Sequence, residues 1–144
     1  MAGKTGEHQA DGGVLEMHLR LWLATGQGVL FGLGRADILC AIERHGSLRK
    51  AAEELGISYR AAWGKIKRSE ALLGFKLVEK AASQREGCRL TEAGRDLKEK
   101  FDRWYKEVED NAIEKARTIF ADKTIRRRRD KADGQDKHEE EDHG

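Results

Sequence analysis

The chain has 144 residues, of which 38% are charged and 38% hydrophobic, with two cysteines, 16 glycines and no proline. This length suits one domain with tails, no apolar run approaches the roughly 18 residues of a membrane span, and the N-terminus lacks the apolar core of a signal peptide. Composition therefore excludes a membrane protein, a disulfide scaffold and a large multidomain enzyme, and it predicts a cytoplasmic protein with reduced cysteines.

The positive charge is concentrated in the middle of the chain. Residues 34–95 hold 13 lysine and arginine residues against 8 aspartate and glutamate residues, whereas the whole chain has a net charge of +2. Residues 58–68 include four basic residues and no acidic one. A basic patch on a near-neutral chain is typical of a polyanion-binding protein. A solvated helix face is the alternative that charge alone leaves open.

The sequence predicts a disordered N-terminal segment followed by a β-hairpin. Residues 1–16 are polar and glycine-rich, which favours disorder. Leucines alternate with other residues across 17–24, with the period of two that is typical of a strand. A turn over 25–28 and a short apolar return over 29–31 complete the predicted hairpin.

Four helices and a second pair of strands are predicted after the hairpin. Gly46, Gly56 and Gly74 are glycine stops, and Ser47 and Ser58 are N-caps. The predicted helices cover residues 34–45, 48–55, 58–73 and 91–120, and the predicted strands cover 76–81 and 88–91.

Residues 47–73 have the spacing of a helix-turn-helix. Two helices that cross steeply need a small residue at the contact, a turn residue that tolerates a positive φ, and an apolar residue after the turn. Ala52, Gly56 and Ile57 supply these in order. A plain helical hairpin, in which Tyr59 and Trp63 only pack, is the alternative.

The second helix of this motif suits the major groove of DNA, because its basic face is opposite its apolar face. Gly64 on that face permits close approach. Residues 76–91 form a predicted wing that would contact the DNA backbone through Arg85. The residues predicted to contact DNA are Ser58, Tyr59, Arg60, Trp63, Lys67, Arg68 and Arg85.

The last helix carries apolar residues at spacings of four, three and four: Leu97, Phe101, Trp104 and Val108. This stripe predicts a dimerisation face and hence a homodimer. Residues 122–144 have almost no apolar side chains, with Arg126–Arg129 followed by an acidic run, and are predicted to be a disordered charged tail.

The sequence offers no motif of an enzyme. Cys40, His45 and Cys88 are the only combination that could gather around a metal, and Cys40 lies beside the apolar positions of its helix. A buried structural thiol is the favoured interpretation. We therefore predict no metal site, no cofactor and no enzymatic activity.

The segment S-L-R-K-A-A-E-E-L-G-I-S-Y-R-A-A-W-G-K-I, followed downstream by L-T-E-A-G, resembles the winged helix of LysR-type regulators. The part I-S-Y-R-A-A-W-G-K-I and the preceding hairpin are more similar to the DNA-binding domain of the molybdate-responsive ModE-type regulators. The resemblance covers residues 18–103 and implies a dimeric winged-helix transcription regulator.

Two departures from these families carry predictions. LysR-type chains usually have an apolar residue where Ser69 stands, so the packing there is expected to differ. ModE-type regulators carry β-rich oxyanion-binding domains after the DNA-binding part, whereas this sequence continues as a helix and a charged tail. Molybdate binding is therefore not expected.

The predicted fold class is α+β, mainly α: a winged helix-turn-helix over residues 17–121 with an N-terminal β-hairpin and a long C-terminal dimerisation helix. The predicted function is sequence-specific binding of double-stranded DNA by a transcriptional regulator. The alternative is a winged-helix protein–protein interaction module without sequence-specific DNA binding.

Overall fold

A computed structural model describes residues 13–82 and 87–129 of the chain. Their strands and helices, in chain order, are β1 (Glu16–Leu19), β2 (Trp22–Thr25), β3 (Gly28–Gly32), α1 (Leu33–His45), α2 (Leu48–Leu55), α3 (Tyr59–Leu73), β4 (Val78–Lys80), β5 (Cys88–Leu90), α4 (Glu92–Ile119) and β6 (Arg126–Arg129). The described residues divide into two compact units, one of residues 21–82 and 87–102 and one of residues 13–20 and 103–129. Helix α4 contributes to both.

The larger unit begins with the predicted hairpin. Strands β2 and β3 pair antiparallel, with Trp22 opposite Gly32 and an irregularity between Leu23 and Ala24. The single strand predicted over residues 17–24 is instead divided, because β1 ends at Leu19 and pairs elsewhere.

The core of this unit is built from the hairpin and the helices together. Phe31 of β3 is fully buried, and its ring meets that of Phe101 edge to face, with centroids 5.2 Å apart. Phe101 is only 3% exposed. Phe101 is therefore not part of an exposed dimerisation face, contrary to the prediction from the helical spacing. The partner ring comes from a strand far away in sequence, which periodicity within one helix cannot show.

The helix-turn-helix forms where the sequence predicts it. The Ser47 hydroxyl accepts a hydrogen bond from the backbone N–H of Lys50 at 3.2 Å and begins α2. Gly56 ends that helix with a φ of 71°, a left-handed conformation that glycine adopts without steric cost. Ala52 is 1% exposed, as expected of a residue at a close helix crossing. The four predicted helices match the observed ones to within one residue at each end.

Strands β4 and β5 form the predicted wing, with Val78 opposite Leu90. The N–H of Cys88 also donates to the carbonyl of Gly46 at 3.0 Å, which ties the wing to the turn before α2. These elements confirm the predicted winged helix-turn-helix. Arg85 lies outside the described residues.

A buried polar pair explains the departure at Ser69. Arg35 of α1 and Ser69 of α3 are both fully buried, and the Nε of Arg35 donates to the Ser69 hydroxyl at 3.0 Å. A buried guanidinium needs acceptors, because leaving a buried donor unpaired is costly. Serine stands at this position as one such acceptor.

The smaller unit joins the two ends of the described chain. Strand β6 pairs parallel with β1, and the N–H of Arg126 donates to the carbonyl of Leu15 at 3.0 Å. Ile125, just before β6, is 4% exposed. The prediction of disorder from residue 122 onward is therefore wrong for this strand. Its pairing partner lies at the other end of the chain, so local composition gives no sign of it.

An ion pair links β6 to α4. The guanidinium of Arg127 contacts the carboxylate of Asp110, which also accepts a hydrogen bond from Lys106 at 3.0 Å. Hydrogen bonds from Lys106 and Arg127 lower the pKa of Asp110. The ion pair between Asp110 and Arg127 helps to hold β6 against α4 only while the carboxylate is ionised.

Candidate nucleic-acid interface

Helix α3 has a buried side and a basic exposed side. Ala62, Ile66 and Ser69 are fully buried against the rest of the larger unit. The predicted contact residues within the described part of the chain are all exposed: Ser58, Tyr59, Arg60, Trp63, Lys67 and Arg68. The structure thus brings them to one surface, with Tyr59 and Trp63 at its edge and Arg60 and Lys67 nearer its middle.

Ser58 has a structural role as well as an exposed position. Its hydroxyl accepts a hydrogen bond from the N–H of Ala61 at 3.0 Å and caps α3. A serine at this position satisfies one of the free N–H groups of the first helical turn. The side chain therefore sets where the helix begins.

The two aromatic residues of this surface each lie beneath a cation. The guanidinium of Arg49 is 4.7 Å from the ring centroid of Tyr59, and the Nζ of Lys67 is 4.4 Å from that of Trp63. Each contact is worth about 0.5–1 kcal/mol at an exposed site. Tyr59 and Trp63 nevertheless remain 43% and 41% exposed, so both residues are accessible to a ligand.

A groove of about 400 Å³ runs between α2, α3 and the wing. Four cationic side chains line it: Arg49, Lys67, Lys76 and Lys80. Among the described lining residues Glu79 is the acidic one, and it pairs with Arg89 across the wing at 3.0 Å. This charge pattern and shape suit a negatively charged polymer backbone.

The residues predicted one by one to contact DNA do not include Arg49, Lys76 and Lys80, although the last two lie in the predicted wing. They come from α2 and from the edges of the wing, and a motif read along one helix does not group them. Lys76 lies two residues before β4 and Lys80 is its last residue, and two lysines this close together indicate a basic wing.

A buried carboxylate connects α3 to the wing. Glu70 is 8% exposed, and its Oε2 accepts hydrogen bonds from the N–H groups of Leu77 at 2.7 Å and Val78 at 3.3 Å. Its Oε1 lies 3.2 Å from the Nζ of Lys67. One side chain therefore contacts both a basic residue of the exposed surface and the backbone of β4.

Gly64 has room for a side chain in the isolated protein. A Cβ there would lie 3.3 Å from the Nη1 of Arg68, the far end of a flexible side chain. Packing within the chain therefore does not require glycine in this helix.

The two cysteines are free and half-buried, and burial raises the pKa of both thiols. Within residues 13–82 and 87–129 no three cysteine, histidine or acidic side chains gather in a way that could hold a metal ion. Over the same residues no helix is long and apolar enough to cross a membrane.

Residues 33–95 match the model of the bacterial regulatory helix-turn-helix protein, lysR family. These residues are therefore similar to the helix-turn-helix domain of that family. The match begins with α1 and ends in the first turn of α4, so it includes the whole helix-turn-helix and the wing.

The resemblance to ModE-type regulators is also confirmed for this part of the chain. The chain is 43% identical over 68 residues to molybdenum-pterin-binding protein MopA of Rhodobacter capsulatus, covering 46% of this chain and 26% of MopA. It is 38% identical over 80 residues to molybdenum transport protein ModE of Azotobacter vinelandii, covering 54% of this chain and 30% of ModE. The chain therefore spans less than a third of the length of these relatives.

Among solved structures, the crystal structure of a CbnR_DBD–DNA complex is similar to this chain with a TM-score of 0.47 and 25% identity. The similarity covers 59% of this chain and 93% of that one.

Proposed function

We propose that this chain is a transcriptional regulator that binds double-stranded DNA sequence-specifically, with α3 in the major groove and the wing on the backbone. The observation that carries the proposal is the continuity of the basic surface. The exposed face of α3 leads directly into the groove lined by Arg49, Lys76 and Lys80. A helix-turn-helix uses such an arrangement to combine base contacts with phosphate contacts.

The side chains divide by the contacts that their chemistry allows. Arg60 and Lys67 can donate to guanine edges, and the apolar surfaces of Tyr59 and Trp63 can meet a thymine methyl group. Arg68, Arg85 and the other three groove cations, Arg49, Lys76 and Lys80, would contact phosphates, which supply affinity without sequence information.

A selection of bound sites from a random duplex library tests the proposal. Wild-type protein should enrich one motif, and its affinity should fall with salt with a log–log slope of roughly 0.9 per phosphate contact. A protein–protein interaction module would enrich no motif at any salt concentration.

Two substitutions then separate the classes of contact. Arg60→Ala should cost about 1–3 kcal/mol at the selected site and relax the preference there, whereas Arg85→Ala should weaken all duplexes evenly. Arg103→Ala, on the exposed surface of α4, is the matched control for the loss of one positive charge. If Arg60→Ala weakens selected and random duplexes equally, the assignment of the groove face is wrong.

We also propose that the chain acts as a homodimer. One recognition helix reads only a few base pairs, and helix-turn-helix proteins commonly pair across two half-sites. Leu97, Trp104 and Val108 of α4 stay partly exposed in the single chain, whereas Phe101 does not. Sedimentation of wild type and Trp104→Asp at tens of micromolar is the test, and a wild type that sediments as a monomer refutes it.

Molybdate is not proposed as an effector. An oxyanion held by the cations of the basic groove would occupy the surface proposed for the DNA backbone. Molybdate should therefore leave DNA affinity unchanged, or reduce it by competition, when the DNA titration is repeated at constant ionic strength. A tighter complex with micromolar molybdate would contradict this.

A further inference from the structure

We infer that Glu70 is a positioning residue for DNA recognition, which fixes the wing against α3 and holds Lys67 at the DNA-facing surface before DNA arrives. The inference rests on the proposed function. It assigns a role to a buried acidic residue that lies beneath a mainly basic surface.

The geometry is specific to a carboxylate. Oε2 accepts from two consecutive backbone N–H groups of the wing, and Oε1 pairs with the Lys67 ammonium. A buried charge is tolerated when a counter-charge and hydrogen bonds compensate for its lost hydration. If either the wing N–H groups or the Lys67 ammonium were removed, the Glu70 carboxylate would be poorly compensated. The wing and Lys67 therefore stabilise each other through Glu70.

Lys67 gains a defined position from this arrangement. Its Nζ lies between Glu70 Oε1, at 3.2 Å, and the ring of Trp63, at 4.4 Å to the centroid. A lysine that is ordered in advance loses less conformational entropy on binding than a freely rotating one. The pairing also partly neutralises its charge, which weakens its attraction to phosphates of any sequence. Both effects favour a specific site over random DNA.

The test compares Glu70→Gln with Glu79→Gln, using the selected duplex and a random duplex of the same length. Glutamine keeps an oxygen that can accept from the wing N–H groups, but it no longer attracts the Lys67 ammonium. Glu79→Gln removes the same charge from another residue lining the groove, where the carboxylate pairs with Arg89. Glu70→Gln should tighten random binding and lower the ratio of selected to random affinity about tenfold. Glu79→Gln should tighten both and leave the ratio unchanged.

Amide hydrogen exchange at Leu77 and Val78 reports on the wing without DNA. Glu70→Ala should lose protection at these two amides, and Glu70→Gln should retain it. In a Lys67→Met background, Glu70→Gln should lower the affinity ratio no further, because both changes act through the same ammonium group.

Each result has a definite meaning. The inference is overturned if Glu70→Gln leaves the ratio unchanged, if it lowers the ratio equally with and without Lys67, or if that variant does not fold. A wild type that shows no preference for any duplex refutes the proposed function instead.

Discussion

Gly64→Ala should stabilise the free protein and weaken its complex with DNA. Alanine in a helix interior is favoured over glycine by about 0.8–1.0 kcal/mol. The added Cβ would meet only the tip of Arg68, at 3.3 Å, and that tip can move. For a domain of this size the gain corresponds to a rise in melting temperature of about 4–8 °C.

The opposite effect on DNA affinity follows from the position of Gly64. It lies between Arg60 and Lys67 on the exposed face of α3, at the point of closest approach to a duplex in the proposed complex. A Cβ extends the surface there by about 1.5 Å, enough to lengthen neighbouring hydrogen bonds beyond their useful range of about 3.2 Å. Losing one good base contact costs about 1–3 kcal/mol.

Thermal melting and a titration with the selected duplex measure the two effects on the same protein samples. Ala71→Gly is the matched control, since Ala71 is exposed on the same helix about 10 Å further along its axis. It should lower the melting temperature and leave DNA affinity unchanged. If Gly64→Ala raises stability and binds the selected duplex as tightly as wild type, then this face of α3 does not lie against DNA.

Three further predictions concern the scaffold. Gly94→Ala should lower the free energy of unfolding by about 1–3 kcal/mol, because the new Cβ would lie 2.2 Å from the carbonyl oxygen of Leu77. Urea unfolding measures the change, and an unchanged midpoint of the unfolding curve would contradict the prediction. Ser69→Ala should cost about 1–3 kcal/mol by removing an acceptor of buried Arg35, and recovery in Ser69→Thr would show that the hydroxyl is responsible. The pKa of Asp110 is lowered in the folded protein, so its contribution should be complete above about pH 4 and lost as pH falls through the lower folded value. The difference in melting temperature between wild type and Asp110→Asn should therefore shrink on acidification, and a constant difference from pH 7 to pH 3 would refute it.

The features that sequence predicted well are those fixed by local chemistry. Ser47 and Ser58 cap helices, and Gly56 and Gly74 end them with positive φ values of 71° and 83°. Each of these acts within a few residues, so the helix boundaries and the exposed face of α3 could be read along the chain.

The features that sequence missed depend on residues far apart in the chain. The strand pairing of Arg126–Arg129 requires β1, and the burial of Phe101 requires Phe31. The basic groove likewise needs lysines of the wing to come beside α2 and α3. Composition and periodicity describe one segment at a time, so they assigned the first two to a tail and to a dimer face and did not group the groove cations as one surface.

The buried side of α3 includes polar residues as well as apolar ones. Ser69 accepts from Arg35 of α1, and Glu70 accepts from the backbone of the wing at Leu77 and Val78, so two adjacent residues anchor the helix to two different elements. Apolar contacts alone allow a helix to slide or rotate at little cost, because dispersion and hydrophobic burial have no strong directional preference. Hydrogen bonds to buried charged groups are directional and costly to break. They therefore fix the rotation of α3 about its axis, and in the proposed complex that rotation would decide whether Arg60 and Lys67 point toward a base edge or past it.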